Sequence, residues 1–261
     1  MTRPSASRLA IALVLGALAL GGCASQPVKH KDPRDPWESM NRAIWGFDLA
    51  VVHKVALPVD KAYTAVTPRI VRTGIGNVFD NAEYGVVFVN DFLQGKFRTG
   101  LSDFGRFVVN STMGIGGLFD QASGMGLPKN NNDFGRTLGT WGMHPGPYLV
   151  LPILGPSDVR DTVGRVPDGY LSPANYINDL WIYLGVYAVY AIDLNDRTLV
   201  PTYNLLESQH PFDEYAFARN AYLQQREFAI HGGSEKSQEQ QEEELEKSLQ
   251  DSDPGSSPPP R

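Results

Sequence analysis

The chain has 261 residues, of which 42% are hydrophobic and 20% charged, and its formal net charge is −6. This composition excludes a fully disordered chain and a polytopic membrane protein. The negative charge argues against nucleic-acid binding, which requires a basic surface. The single cysteine excludes a disulfide framework, a cysteine-rich zinc site and an iron–sulfur cluster within the chain.

Residues 1–22 have the pattern of a cleaved bacterial lipoprotein signal peptide. Basic residues precede an apolar run from Leu9 to Leu20, which is too short to cross the roughly 30 Å hydrocarbon core as a helix. The run ends in Leu20-Gly21-Gly22-Cys23, which is typical of a lipobox, because a thiol accepts the diacylglycerol and small residues give the peptidase access. Acyl chains on Cys23 would anchor the protein almost irreversibly.

The residues that follow Cys23 predict the compartment and a short tether. Ala24 stands where an aspartate commonly retains lipoproteins in the inner membrane, so the sequence favours the periplasmic leaflet of the outer membrane. Residues 23–35 are polar and contain two prolines, which is typical of a tether. Residues 36–233 are predicted to form the folded domain.

The C-terminal segment, residues 234–261, is predicted to be disordered. It holds eight acidic and three basic residues and almost no apolar ones, so it has little to bury. It is either an acidic arm for a basic partner or a solubilising tail.

The first predicted helix follows Asp35, which is expected to cap it, and Pro36 at its first position. Apolar residues recur at steps of three and four as far as Val55. Tryptophans on the opening turns favour a membrane interface, although a core-facing helix of a soluble domain has the same periodicity. The residues predicted to position the domain in the membrane are Trp37, Met40, Ile44, Trp45 and Phe47.

Further helices are predicted at 68–90, with a break near Gly74-Ile75-Gly76, and at 97–110, 180–192 and 212–230. Gly114-Ile115-Gly116-Gly117 is predicted to form a tight turn or a close helix contact, because it lacks the strand and lysine of a nucleotide-binding loop. With no repeat and no alternating strand pattern, the body is predicted to be all-α.

Residues 137–157 carry no charge and contain four prolines and four glycines. A lipid-exposed span cannot leave so many backbone groups unpaired. The segment Tyr148–Leu154 is therefore predicted to be either a buried extended segment or part of a cavity wall.

The sequence contains no recognisable catalytic or metal-binding motif. Its five histidines are scattered and no Gly-x-Ser-x-Gly elbow occurs. Asp158, Asp161 and Asp168 lie near Arg160, a grouping that favours ion pairing or helix capping over a carboxylate dyad. We therefore expect no enzymatic activity, metal or cofactor, with a lipid acyl hydrolase as an alternative, because catalytic triads are assembled in space.

Several blocks, taken in chain order, resemble the MlaA (VacJ) family of outer-membrane lipoproteins. They begin with Asp35-Pro36-Trp37-Glu38-Ser39-Met40-Asn41-Arg42 and continue at 71–79, 90–95, 105–112, 114–120, 133–139 and 146–161. With the lipobox, they span nearly all of residues 20–230. Tyr84 departs from the pattern, because family members often have proline there, and this difference is expected to alter a local turn.

The resemblance implies an all-α, ring-like bundle of amphipathic helices that lies in the plane of one membrane leaflet around a central channel. Such proteins remove phospholipid misplaced in the outer leaflet and pass it to a soluble periplasmic carrier, which feeds an inner-membrane ATP-driven transporter. They also associate with trimeric porins. A structural, porin-associated lipoprotein without a lipid path is the alternative.

Candidate channel residues come from segment chemistry and not from the family, and each has a packing role as its alternative. The turn at 114–117 and the segment 146–156 are expected to shape the path. The candidates are Asn110, Thr112, Gly114, Gly116, Gly117 and Arg160.

Overall fold

The structure is a computed structural model that describes residues 32–209 and 213–231. The predicted signal peptide, Cys23, most of the tether and the acidic tail lie outside the described residues.

The described residues are mostly helical. The helices are α1 (Glu38–Val51), α2 (Leu57–Val66), α3 (Arg69–Leu93), α4 (Phe97–Thr112), α5 (Gln121–Gly124), α6 (Phe134–Thr140), α7 (Val159–Leu171), α8 (Leu180–Leu194), α9 (Val200–Gln209) and α10 (Glu214–His231). Two π-helical turns, Val52–Ala56 and Asn195–Leu199, connect α1 to α2 and α8 to α9. The predicted helical body is thus confirmed. None of the helices in the described part of the chain is both long and apolar enough to span a bilayer.

A small antiparallel sheet interrupts the helices, so the all-α prediction was incomplete. Strand β1 (Tyr148–Leu151) pairs with β2 (Gly155–Asp158), with Tyr148 opposite Asp158. Tyr148 and Val150 face the interior and are almost fully buried, so the predicted buried extended segment is confirmed for 148–151. Residues 152–154 form an exposed turn instead. The strand escaped detection because its outward residues are also apolar, which removes the alternating pattern that identifies a strand.

The first helix begins at Glu38, and Asp35 does not cap it. The Asp35 carboxylate is buried instead, where it accepts a hydrogen bond from Asn41 Nδ2 (2.8 Å), another from the Tyr215 hydroxyl, and pairs with Arg219 Nη1 (3.1 Å). The prediction of an N-cap was wrong because these distant partners, two of them on α10, bind the carboxylate.

Helix α3 runs without a break through Gly74 and Gly76, contrary to the predicted interruption. A Cβ at Gly74 would lie 2.8 Å from Leu118 Cδ1, and one at Gly76 would lie 2.7 Å from Arg197 Nε. Each glycine therefore admits a neighbouring side chain, at a cost to the helix of about 1 kcal/mol. Tyr84 likewise lies inside this continuous helix and not at a turn.

The interior is unusually polar and the exterior unusually apolar. One small apolar cluster consists of Tyr148, Val150 and Tyr215. Many other deeply buried side chains are polar or charged, among them Asn41, Asn90, Asp103, Arg106, Thr137, Asp158 and Asp193. Large apolar side chains are exposed along many helices, and extensive exposed apolar surface indicates contact with a membrane or a protein.

Candidate functional site

A cavity of about 580 Å³ lies between α3, α7, α8 and α10. The loop at 131–133 and Leu154, at the turn of the β-hairpin, complete its wall. Its volume falls within the range of about 300–1,000 Å³ that is usual for small-molecule sites.

The lining of this cavity is amphipathic. Its apolar and aromatic part comes mainly from α3 and α8 and consists of Phe79, Ala82, Val86, Val87, Leu154, Val186, Tyr187 and Tyr190. Its polar part comes mainly from α3, α7, α10 and the loop and includes Glu83, Asn131, Asn132, Asp133, Asp161, Arg165, Asp168 and Arg226. A molecule with both an apolar and a charged portion therefore matches the lining.

Arg226 on α10 is fully engaged by two carboxylates. Its Nη atoms donate to both carboxylate oxygens of Asp133 (2.6 and 2.8 Å), and its Nε lies 2.5 Å from Asp161 Oδ2. Burial is the largest single influence on the pKa of Asp133 and of Asp161 and raises both. The hydrogen bonds and positive charges around each carboxylate, with Arg226 the main contributor, together outweigh it and lower both pKa values. These groups form a structural ion-pair cluster on one side of the cavity.

Asp158, Asp161 and Asp168 have the structural roles predicted for them. Asp158 caps α7 by accepting a hydrogen bond from the Asp161 backbone N–H (2.7 Å), and Asp161 pairs with Arg160 Nε (3.0 Å). Asp168 accepts hydrogen bonds from the Phe134 N–H (3.0 Å) and Asn90 Nδ2 (3.0 Å). The prediction of capping and ion pairing is confirmed.

Glu83 and Arg165 differ from the other charged residues of the cavity. Glu83 on α3 accepts one side-chain hydrogen bond, from the Tyr190 hydroxyl (2.7 Å). Desolvation raises the pKa of Glu83, and this hydrogen bond partly offsets the effect. Arg165 on α7 has no ion pair or side-chain hydrogen bond with any residue that the structure describes. Sequence reasoning missed both, because no local motif marks a cavity formed by helices distant in sequence.

Three of the predicted channel residues lie away from this cavity, and their polar atoms have local partners. Asn110 is buried and accepts a hydrogen bond from the Ala122 N–H (2.9 Å). Thr112 is exposed and donates to the Val108 carbonyl of its own helix (2.7 Å). Arg160 is buried against Asp161, as described above. The structure therefore gives these side chains packing and capping contacts, and none of them lines the cavity.

The predicted glycine turn is confirmed as a tight turn, but it does not border the cavity either. A Cβ at Gly114 would lie 2.2 Å from the Phe119 carbonyl oxygen. Gly116 and Gly117 have φ angles of 67° and 93°, which side chains rarely permit. Of the segment 146–156, only Leu154 lines the cavity.

The predicted membrane-positioning residues divide into two groups. Trp37 and Phe47 are 45% and 51% exposed, and Met40 is half-buried. Ile44 and Trp45 pack against the apolar cluster, with 6.4 Å between the ring centroids of Trp45 and Tyr215. Helix α1 thus has an outward apolar surface and an inward one.

No cluster that could hold a metal ion occurs in residues 32–209 and 213–231: nowhere there do three or more histidine, cysteine, aspartate or glutamate residues come together suitably.

The fold has a known counterpart. A solved structure from work on the structural basis for maintenance of bacterial outer membrane lipid asymmetry matches it with a TM-score of 0.66 and 32% sequence identity. The match covers 76% of this chain and 99% of that chain.

The family model for the MlaA lipoprotein matches residues 33–229. The intermembrane phospholipid transport system lipoprotein MlaA of Escherichia coli (strain K12) is 35% identical over 234 residues, covering 87% of this chain and 91% of the relative. The protein of the same name from Haemophilus influenzae is 31% identical over 231 residues, covering 84% and 89%. The chain belongs to the MlaA lipoprotein family.

Proposed function

We propose that this lipoprotein removes phospholipids mislocalised in the outer leaflet of the outer membrane and passes them through its amphipathic cavity for retrograde transport. The observation that carries the proposal is the cavity itself, with apolar and aromatic side chains from α3 and α8 beside charged side chains from α7 and α10. Acyl chains would contact the former and the headgroup the latter. The curated relatives are named for intermembrane phospholipid transport.

The exterior of α8 supports a position within one leaflet. Leu180, Trp181, Ile182 and Leu184 are between 47% and 79% exposed. The helix has 15 residues, or about 22 Å at 1.5 Å per residue, which is too short to cross the hydrocarbon core. We propose that these helices lie in the periplasmic leaflet as a ring around the cavity, with acyl chains on Cys23 as the anchor.

The proposed pathway has a partner on each side. A trimeric porin would hold the lipoprotein in the outer membrane, and a soluble periplasmic carrier would collect the lipid and deliver it to an inner-membrane ATP-driven transporter. The protein itself would perform no covalent chemistry. The engagement of Asp133, Asp161 and Asp168 in ion pairs, hydrogen bonds and caps supports this proposal, because groups held in this way are poorly placed to act as acid or base.

Narrowing the cavity tests the proposal. Ala82 lines the cavity, so Ala82→Trp places a large ring in the lipid path. In cells whose only copy is the Ala82→Trp variant, we expect phospholipid to accumulate in the outer leaflet as it does in cells lacking the protein. Accessibility of surface phospholipid to an added phospholipase measures this, and mass spectrometry of lipid bound to the purified protein should show less phospholipid.

Ala65→Trp is the matched control, because Ala65 is exposed on α2 and does not line the cavity. It should leave both measurements at the parent level. A structural, porin-associated role without a lipid path predicts that Ala82→Trp behaves like the control. Release of fatty acid by the purified parent would instead support an acyl hydrolase.

A further inference from the structure

The charged residues of the cavity are unequally engaged. Asp133 and Asp161 are held by Arg226, and Asp168 accepts hydrogen bonds from Asn90 and a backbone N–H. The charges of Asp133 and Asp161 are compensated by Arg226, and the Asp168 carboxylate already accepts hydrogen bonds within the protein, so a ligand gains little from contacting them. Glu83 and Arg165 are left to interact with a ligand.

Arg165 has the freedom that a ligand-binding cation requires. It has no described acidic partner, and it also lines a smaller surface pocket formed with Val166, Tyr170 and Tyr176. Arg165 therefore lies where that pocket adjoins the main cavity. Its planar set of donors is well suited to a phosphodiester, which it can bind through two parallel hydrogen bonds.

Glu83 offers the opposite charge farther along the same cavity. Only its Oε1 accepts a hydrogen bond, from the Tyr190 hydroxyl at 2.7 Å, and this contact fixes the carboxylate against α8. Oε2 has no hydrogen-bond partner among the described residues. Tyr187 and Tyr190 line the same cavity and also favour a cation, because aromatic rings attract a desolvated cation. This end of the cavity therefore favours an ammonium group.

The spacing of the two charges suits one ligand that carries both an anion and a cation. Asn90 on α3 contacts Asp168 on α7 (3.0 Å), whereas a Cβ at Gly85 would lie 3.9 Å from the Leu171 carbonyl. The two helices thus run in opposite directions across this contact, with Glu83 and Arg165 on either side of it. Counted at 1.5 Å per residue, Glu83 and Arg165 lie about 15 Å apart along the helix axes. The two long side chains and a headgroup together can span this distance.

We propose that Arg165 and Glu83 form the headgroup site of the cavity and select phospholipids whose headgroup carries an ammonium group. Arg165 binds the phosphodiester, and Glu83 with the neighbouring tyrosines binds the ammonium. The acyl chains lie against Phe79, Val86 and Val186, which line the same cavity. This inference rests on the proposed function and adds a preference for one lipid class.

The test compares phosphatidylethanolamine with phosphatidylglycerol, which share the phosphodiester and differ in the ammonium group. The full-length lipoprotein is purified in mixed micelles that contain equal amounts of both, and bound lipid is measured by mass spectrometry. We expect the parent to retain about tenfold more phosphatidylethanolamine, which corresponds to about 1.4 kcal/mol. Glu83→Gln should bring the ratio close to one, whereas Arg165→Gln should reduce both lipids by about tenfold and keep the ratio.

Two exposed residues outside the cavity supply matched controls. Arg98 on α4 and Glu207 on α9 are exposed and do not line it, so Arg98→Gln and Glu207→Gln should retain the parent's lipids in the parent's ratio. Circular dichroism of all four variants monitors folding, which the exposed position of Arg165 should preserve.

The outcomes separate the inference from the function beneath it. Equal retention of the two lipids by the parent, or parental behaviour of Glu83→Gln and Arg165→Gln, would overturn the headgroup site while leaving phospholipid transport standing. Binding of neither lipid by the parent would overturn both.

Discussion

At the scale of single residues, Arg106 shows how this protein stabilises a polar interior. Its side chain is 1% exposed and donates to the Tyr84 hydroxyl (2.9 Å) and to Asp120 Oδ1 (2.8 Å). The guanidinium also lies 5.2 Å from the centre of the Tyr84 ring. One residue thus joins α3, α4 and the start of α5, which apolar packing would join in an ordinary core.

We expect Arg106→Ala to be among the more destabilising substitutions. Removing the guanidinium takes a hydrogen bond from the Tyr84 hydroxyl and removes one of the two cations that pair with Asp120, leaving Lys129 Nζ at 3.1 Å. Breaking a buried pair costs about 3–5 kcal/mol when one charge is left alone, so we expect a loss near the lower end of that range. Urea denaturation in detergent, followed by tryptophan fluorescence, measures the loss. Tyr84→Phe removes only one hydrogen bond to a charged group and should cost about 1.5–3 kcal/mol. Equal stability of Arg106→Ala and the parent would show that the buried network contributes nothing.

Residue types alone do not reveal such partners. Asn110, Thr112 and Arg160 are predicted as channel residues from the chemistry of their segments, with packing as the alternative. The structure pairs Asn110 with a backbone N–H twelve residues later and Arg160 with the neighbouring Asp161. The pairing of Asn110 depends on a loop path that no periodicity encodes, whereas that of Arg160 joins neighbours in sequence and is the ion pairing that the sequence favours.

At the scale of elements, the sequence predicted the helices whose residue pattern is visible locally. Helices at 97–110 and 180–192 correspond closely to α4 and α8, because their patterns extend over several turns. The predicted break at 74–76 was wrong because a glycine suits a helix break and a close packing contact equally well. The two-stranded sheet was missed because both faces of β1 are apolar.

Gly164 tests the packing role of such glycines. A Cβ there would lie 2.5 Å from Gly135 N and 2.8 Å from Gly135 Cα, both backbone atoms of α6. Because backbone cannot move aside as a flexible side chain can, we expect Gly164→Ala to separate α6 from α7 and cost about 1–3 kcal/mol. The midpoint of urea denaturation reports the change.

Gly185 on α8 provides the matched control, because nothing lies within 4 Å of the Cβ that alanine would add. Alanine there should leave stability unchanged or raise it by about 0.4–1 kcal/mol, since it restricts the unfolded chain. If both substitutions had the same effect, close packing would not be the reason for glycine at 164.

At the scale of the whole molecule, the sequence predicted a helical body and a family, but not the site. The cavity is formed by four helices spread between residues 69 and 231, so its lining depends on tertiary packing. Glu83 and Arg165 gain their significance only after the other charged residues of the lining have been assigned their ion pairs and hydrogen bonds within the protein. The exposed α8 could be predicted, because an uncharged run of aromatic residues is a local property.

The pH dependence of stability is also a property of the whole molecule, because buried acids with raised and lowered pKa values act in opposite directions. Asp103 is fully buried, and burial, together with a hydrogen bond to Asp91, raises its pKa. Asn130 Nδ2 donates to both Asp103 oxygens (3.1 Å), and Arg106 lies nearby. For Asp133, by contrast, the hydrogen bonds and charges of Arg226 and Arg136 together outweigh burial and lower the pKa.

A raised pKa in the folded state means that the folded protein loses stability as the pH rises from the unfolded value of about 3.9 through the folded one. Asp103→Asn is neutral at every pH and can donate to Asp91, as the protonated acid does. We therefore expect its free energy of unfolding, relative to the parent, to increase between pH 5 and pH 8. The difference should be about 1.4 kcal/mol for each unit of pKa shift titrated in that interval.

Asp133→Asn supplies the contrast for the same urea-denaturation series. Because the pKa of Asp133 is lowered from its ordinary value in the folded state, the parent carries this charge at both pH values, and the variant should lose the same stability at pH 5 as at pH 8. A pH-independent difference for Asp103→Asn would mean that Asp103 is ionised throughout the interval. The Asp91–Asp103 contact would then have to be stabilised by Asn130 and Arg106 without a shared proton.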